Sequence, residues 1–371
     1  MKVLITYTSV GAGHRTAALA LYDYFKKYHP EVDTEKIDVL ETSGFFFRFF
    51  YRNGYSFLVK YAPFLWQFAF WITYFKCLNW FTRPITSKFD RAFTHRFSRL
   101  LQEKNADYIV STHFLPSEIA VTLKRKGKLS AKLITVVTDF GVHPYWISPG
   151  TDLYIVASQY AKEQLFLENI EEHQIQVFGI PVHSKFLEVS DKKSLLKKFG
   201  LDPDIFTILI STGSFSIGAV EHIVESLHQE VQILVVCANN KTLYRHLSVK
   251  KYPHVHVFGF IDNLQELMAV SNIIITKSGG LTIAESLVMD LVPIFITAIP
   301  GHEAVNAEVL ARYGVGISSH DITFLKNTIL DFKRHPHKIQ AVKERIARIK
   351  KPSAVREIAH VVCQGGLRPC R

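Results

Sequence analysis

Residues 2–28 read KVLITYTSVGAGHRTAALALYDYFKKY. The apolar run 2–8 has the composition of a buried strand, 9–13 is a glycine-containing turn, and 15–28 carries the alanine- and leucine-rich pattern of a helix. Strand, glycine turn and helix in that order make one βα unit. More apolar runs follow at 108–111, 133–138 and 153–157, each bounded by turn residues and separated by helix-length segments. Alternation of this kind predicts a mainly parallel sheet with helices on its faces.

The pattern then starts again. After Gly179-Ile180-Pro181 a charged stretch occupies 191–198, and a fresh βα unit opens with FTILIS at 206–211. Strands are expected at 232–236, 255–258, 273–276 and 293–297, alternating with helical segments. A chain of 371 residues exceeds one comfortable hydrophobic core. The charged stretch is therefore read as the boundary between a domain at 1–186 and another at 200–350. Two such sheets in tandem leave a cleft, and open parallel sheets bind ligands outside the carboxyl ends of their strands.

Composition narrows the class. At 48% hydrophobic and 21% charged, the chain can bury enough apolar area to offset its conformational entropy. Cys77, Cys237, Cys363 and Cys370 lack metal-ligand spacing, which points to a reducing cytosol and to no metal site. The opening MKVLITYTSVGAGH has too short an apolar stretch for a signal peptide. A cytoplasmic protein is expected.

The run 273–276 leads through Lys277-Ser278-Gly279-Gly280-Leu281-Thr282 into a helical segment at 283–289. A glycine pair lets a backbone approach a ligand closely, and the free N–H groups and positive dipole end of the helix favour an anion such as pyrophosphate. Glu285 is placed on the first turn of that helix, where a carboxylate can accept hydrogen bonds from ribose hydroxyls; the plainer alternative is an acid complementing the helix dipole. A second glycine turn at Gly213, Ser214 and Phe215 faces the same phosphates in this reading. His302, Glu303 and Asn306 open a further helix and offer polar groups for sugar hydroxyls, with a capped surface loop as the competing account.

In the first domain His14 stands where the glycine turn of Gly11 and Gly13 meets the first helix. The positive end of a helix disfavours imidazolium, which keeps the ring neutral and able to accept a proton. A base of that kind suits deprotonation of an attacking hydroxyl. Asp139 and His143 follow the run 133–138, and His113 follows the run 108–111, so all lie at strand carboxyl ends. Asp139 either holds His14 in its productive tautomer, or is itself the base, or caps the turn at 140–144. Sequence alone does not rank His14, Asp139 and His143 as the base.

These motifs together resemble a known family. ITKSGGLTIAES at 275–286, followed by PIFITAIPGHEAVNAEVLARYGVG at 293–316, resembles the donor domain of glycosyltransferase family 28. Within that family these runs resemble the monogalactosyldiacylglycerol synthases and processive diacylglycerol glucosyltransferases. GAGHRTAA at 11–18, VVTDFGVHPYW at 136–146, which ends in Trp146, and GIPV at 179–182 resemble the lipid-acceptor domain of the same enzymes. The resemblance implies a GT-B fold: α/β, two Rossmann-like domains with mainly parallel sheets facing a central cleft. It also implies inverting, metal-independent hexosyl transfer from a UDP-sugar to diacylglycerol, with no cofactor beyond that co-substrate. On the same basis Glu285 holds the ribose, backbone near Phe260 and Ile261 holds the uracil, His14 faces the acceptor, and the helix within 351–371 crosses back to the first domain. The synthases usually carry glutamine at the position of His302 and often an acid at that of Ala304. UDP-glucose and UDP-galactose therefore both stay open as donors.

Of the net charge of +11, residues 44–104 carry +8, from ten Lys or Arg against two Asp or Glu, and the rest of the chain +3. The same stretch holds 21 of the 47 aromatic residues. Residues 61–75 lack charge but are too short to span a bilayer. Phe89, Phe93, Phe97 and Leu100 repeat at helical spacing, with Lys88, Arg91, His95 and Arg99 on another face. That arrangement suits a helix in the headgroup plane of anionic lipids, on the cytoplasmic face of a membrane; the plainer account is a core helix with solvated charges. No nucleic-acid motif accompanies the charge, so nucleic acid is not expected as a partner. Transfer to a polyprenyl-linked acceptor, as in peptidoglycan precursor synthesis, and UDP-sugar epimerisation are the alternative activities for this fold.

Overall fold

The computed structural model describes residues 1–44, 48–49, 54, 64, 94–211, 217–296 and 301–365. They form two compact units: Met1–Ser184 with Ile299–Val305 and Lys351–Arg371, and Lys185–Ala298 with Asn306–Lys350. In chain order the first part runs β1 (Lys2–Tyr7), α1 (Ala12–Tyr28), β2 (Asp33–Asp38), α2 (His95–Lys104), β3 (Tyr108–Ser111), α3 (Phe114–Arg125), β4 (Lys132–Val136), β5 (Leu153–Ile155), α4 (Gln159–Leu167) and β6 (Ile175–Gln176). Its six strands are ordered β2-β1-β3-β4-β5-β6, and every pairing is parallel. The chain leaves β1 toward β2 on one side and later returns to β3 on the other. Loops after β1 and β3 therefore diverge at the carboxyl edge, which is where a parallel sheet opens a crevice.

The second part runs α5 (Lys192–Phe199), β7 (Thr207–Ser211), α6 (Ile217–Leu227), β8 (Gln232–Val236), α7 (Lys241–Lys250), β9 (Val255–Phe258), α8 (Leu264–Val270), β10 (Ile273–Thr276), α9 (Gly280–Val288), β11 (Val292–Phe295), α10 (His302–Arg312), β12 (Ile317–Ser318), α11 (Ile322–Arg334) and α12 (Pro336–Ile349). Its strand order is β12-β11-β10-β7-β8-β9, again wholly parallel, and the direction of winding reverses between β7 and β10. Ile273, Ile274 and Ile275 of β10 are all fully buried, as expected of a central strand covered on both faces. The charged stretch 191–198 is a helix as well as a change of composition. Asp191 accepts a hydrogen bond from the Ser194 N–H at its start, Leu195 and Leu196 are buried, and Gly200 ends it at φ +64.

A last helix, α13 (Ala354–Cys363), belongs to the first unit. Its apolar face, Val355, Ile358, Ala359 and Val362, joins the core formed by Val3, Ile5, Leu21 and Phe25 of β1 and α1.

The amphipathic reading of the basic-aromatic segment is corrected at its end. Phe97 and Leu101 of α2 are fully buried against Leu4, Ile109 and Leu133, while His95, Arg96 and Arg99 stay exposed. The α2 stripe thus packs the core of the first sheet. Phe89, Phe93, Lys88 and Arg91 lie outside the described residues, as does most of 61–75. Among the described residues no helix is long and apolar enough to cross a membrane. Replacing Phe97 with Ala should cost about 3–5 kcal/mol by emptying a packed site, read as a lower urea midpoint; a surface ring would leave the midpoint unchanged.

Candidate active site

In the first unit four residues separate the end of β1 from the start of α1, so the connecting turn is tight. Gly11 makes it possible with φ +85, a conformation that side-chain-bearing residues avoid. A Cβ at Gly11 would also stand 3.2 Å from Cδ2 of His14, so the glycine leaves that edge of the imidazole open. Gly13 and His14 follow in the first turn of the helix.

Two oxygens meet the other edge of the ring. Nδ1 of His14 lies 2.9 Å from the carbonyl oxygen of Thr112, which follows β3, and 2.7 Å from the hydroxyl of Thr138, which follows β4. A carbonyl oxygen only accepts, so Nδ1 carries the ring proton and donates it there. In the neutral ring Nε2 therefore holds a free lone pair. The Thr112 hydroxyl in turn donates to the carbonyl of His14 at 2.9 Å, closing a reciprocal clasp between α1 and the end of β3. Burial lowers the proton affinity of His14, while the negative charge of Asp139 and the bond to Thr112 raise it.

The other two histidines are arranged differently. His113, 4% exposed, caps α3 by accepting the Leu115 N–H at Nδ1, 3.1 Å away. His143 caps the short 3-10 turn Pro144–Trp146 by accepting the Tyr145 N–H at Nδ1, 3.2 Å away. A nitrogen that accepts a backbone N–H carries no proton, so both rings are neutral and bear hydrogen on Nε2. Burial also drives the proton affinity of His113 well below the usual histidine range. Of the three, His14 alone presents a basic Nε2. His113 stands edge-on to it with ring centroids 4.7 Å apart, buried Trp146 lies 5.9 Å from it, and Phe114 stacks on His113 at 4.2 Å. His14 is thus set in a wall of aromatic rings.

In the second unit, β10 passes through Lys277, Ser278 and Gly279 into α9, which starts at Gly280, three residues earlier than the sequence suggested. Leu281 and Thr282 are therefore helical, and Glu285 sits in the second turn rather than the first. That position changes its meaning, because a dipole-complementing acid at the first turn would stay solvated. Glu285 is 6% exposed, and burial pushes its carboxyl up to about 8, against an opposing pull from the Lys185 ammonium. Gly279 has ordinary backbone angles, φ −72 and ψ 132, and a Cβ there would meet only Cε of Lys277, at 3.8 Å. Neither conformation nor packing demands a glycine, and its effect is to leave the first amides of α9 bare.

Ser278 is fully buried, and its carbonyl accepts the side-chain amide of buried Asn306 at 3.1 Å. Asn306 thus fastens α10 to the glycine loop. His302 is partly exposed and Glu303 buried, both in the first turn of α10. Past β9, Phe260 projects into solvent at 74% exposure and Ile261 is half-buried. Lys185 donates to the Asp262 carbonyl of that loop at 2.6 Å, so one cation braces the loop and faces Glu285. Nothing in the sequence singled out Lys185, which sits in no glycine turn. Gly213, Ser214 and Phe215 lie outside the described residues. Among the described residues no three His, Cys, Asp or Glu side chains are grouped to hold a metal ion.

The raised carboxyl of Glu285 has a consequence for stability. Between the ordinary glutamate value near 4.5 and about 8 the folded chain keeps a proton that the unfolded chain has released. Stability must fall as pH rises through that window. Replacing Glu285 with Gln removes the titration, so the variant should gain on wild type by an amount on the order of a few kcal/mol between pH 5 and pH 8.5. Urea denaturation at the two pH values measures the difference.

Comparison with known proteins finds a match for each half of the chain. The monogalactosyldiacylglycerol (MGDG) synthase family model matches residues 14–182, and the glycosyltransferase family 28 C-terminal domain model matches residues 207–359. A processive diacylglycerol beta-glucosyltransferase of Staphylococcus haemolyticus is 30% identical over 282 residues, covering 73% of this chain and 71% of that one. A probable chloroplastic monogalactosyldiacylglycerol synthase of Glycine max is 28% identical over 378 aligned positions, covering 97% and 70%. Among solved structures, Acinetobacter baumannii MurG superposes with a TM-score of 0.62 at 13% identity, covering 98% of this chain and 99% of its own. The UDP-GlcNAc 2-epimerase of Neisseria meningitidis, bound to UDP-GlcNAc, does so with 0.60 at 13%, covering 98% and 100%. At such identities these structures establish the fold alone, which is GT-B. The sequence relatives go further: the chain belongs to glycosyltransferase family 28, with the monogalactosyldiacylglycerol synthases and processive diacylglycerol glucosyltransferases.

Proposed function

We propose that the protein transfers glucose or galactose from the corresponding UDP-sugar to the free hydroxyl of diacylglycerol, with inversion at the anomeric carbon. The observation that carries this reading is the commitment of His14 Nδ1 to the Thr112 carbonyl, which leaves Nε2 as a base at the crevice of the first sheet. The names of the relatives supply the acceptor class.

In this mechanism Nε2 takes the hydroxyl proton as the acceptor oxygen bonds to the anomeric carbon and the bond from that carbon to UDP breaks. The electron pair leaves on the diphosphate. Bare amides at the start of α9 stabilise that charge, and Asp139 stabilises the imidazolium that forms. Glu285 accepts the ribose hydroxyls, which compensate a carboxyl otherwise buried at a cost. Lys185 holds the loop of Phe260 and Ile261 for the base and favours the ionised form of Glu285. No step uses a metal or a further cofactor.

The acceptor is a membrane lipid, and the charge and aromatic content of residues 44–104 supports docking to anionic lipid on the cytoplasmic face. In the deciding experiment, the full chain is mixed with vesicles containing diacylglycerol and phosphatidylglycerol and with radiolabelled UDP-glucose or UDP-galactose. Label should pass to the lipid fraction. UDP-sugar isomerised without lipid labelling would instead identify an epimerase, and labelling of a polyprenyl phosphate acceptor alone would move the enzyme to that substrate class.

Replacing His14 with Ala should lower transfer by about 10²- to 10⁴-fold, the range of a positioned general base. UDP affinity, measured by calorimetry, should stay near wild type. Turnover that survives the substitution would remove His14 as the base.

A further inference from the structure

We propose that Thr138 is a positioning residue which, with the Thr112 carbonyl, fixes the nitrogen of His14 that takes the proton; the proposal rests on the reading of His14 as base. The Nδ1–H is shared between two oxygens, at 2.9 Å and 2.7 Å, contributed by the loops after β3 and β4. Both are neutral acceptors. The carbonyl selects the tautomer and the hydroxyl adds a second anchor for the ring, without the strong stabilisation of imidazolium that a carboxylate at the same place would bring.

The geometry is built to be stiff. Thr138 is 4% exposed and β-branched, so few side-chain rotamers are open to it. The turn bearing the Thr112 carbonyl is held by neighbouring hydroxyls: Ser111 donates to the His113 carbonyl at 2.7 Å, and Ser117 donates to the same oxygen at 3.4 Å. Ser117 also lies 2.9 Å from the Thr135 hydroxyl of β4, which ties α3 to the strand that delivers Thr138. Thr6, Ser111 and Thr135 form a fully buried row across β1, β3 and β4 in a sheet interior that would ordinarily be apolar.

The titratable groups facing His14 are few. Asp139 raises its proton affinity; His302, in the 299–305 segment of the same unit, lowers it; and neutral His113 lies edge-on to it. Against that background the loss of one acceptor has a definite sign. Imidazolium donates from Nδ1 more strongly than neutral imidazole, so removing the Thr138 oxygen disfavours the cation and lowers the pH at which the base becomes protonated.

The test compares Thr138→Val, which keeps the shape and removes the oxygen, with Thr138→Ser, which keeps the oxygen. Transfer is followed as kcat/KM against pH, and the His14 tautomer by two-bond ¹H–¹⁵N correlation on protein labelled at histidine. Wild type should show hydrogen on Nδ1. The valine variant should lose about fivefold in kcat/KM, the worth of one hydrogen bond near 1 kcal/mol, and move its acid limb to lower pH, while the Thr112 carbonyl keeps hydrogen on Nδ1. Serine should restore both. An unchanged acid limb in the valine variant overturns the proposal, as do valine and serine variants that behave alike. The tautomer is read without turnover, so a fully active His14→Ala variant would sink the base assignment separately.

Discussion

A carbonyl oxygen cannot donate a proton, and the contact between Thr112 O and His14 Nδ1 takes its meaning from that fact. Had the partner been a hydroxyl alone, either tautomer would satisfy it. The carbonyl removes the choice, and it follows directly on a strand paired on both sides, with β1 and with β4. The order of strands thus reaches into the chemistry. Only where winding reverses do the loops after β1 and β3 part widely enough for a helix start and a strand end to trap one imidazole between them.

The second sheet repeats the same topology for a different task. Its reversal point presents a helix that opens on a glycine pair with no side-chain cap, a buried carboxyl and a lysine that braces a neighbouring loop. Under the proposed function, one architecture carries a proton-accepting site in its first copy and an anion-facing site in its second. What separates them is the kind of group placed at the carboxyl edge.

Legibility in the sequence followed burial. Strands buried along their whole length, at 108–111, 232–236 and 273–276, could be bounded to the residue because apolar side chains dominate them, and so could the half-buried edge strand at 255–258. β2 was passed over, since an edge strand reading Asp-Thr-Glu-Lys-Ile-Asp alternates charge with burial and makes no apolar run. The start of α9 was placed late because glycine counts against a helix interior, whereas the first position of a helix tolerates it. That shift of three residues moved Glu285 from a solvated first turn to a buried second one. Phe97 was read with a surface stripe because periodicity reports a face and not what covers it. In the active site His14 was visible from its glycine turn, but Thr112 and Thr138 lie 98 and 124 residues away along the chain, beyond any local pattern.

Under the proposed function, Gly279 separates foldability from activity. Its backbone angles suit any residue and its surroundings leave room for a methyl group. Selection for a stable, well-expressed chain therefore exerts no hold on this position, and only the ligand it would face does. A lineage that stopped needing the donor could lose the glycine in one step and keep an intact protein. Descendants of that kind would retain the fold and most of the motif while carrying no activity, and screens based on yield or melting temperature would not tell them from working enzymes.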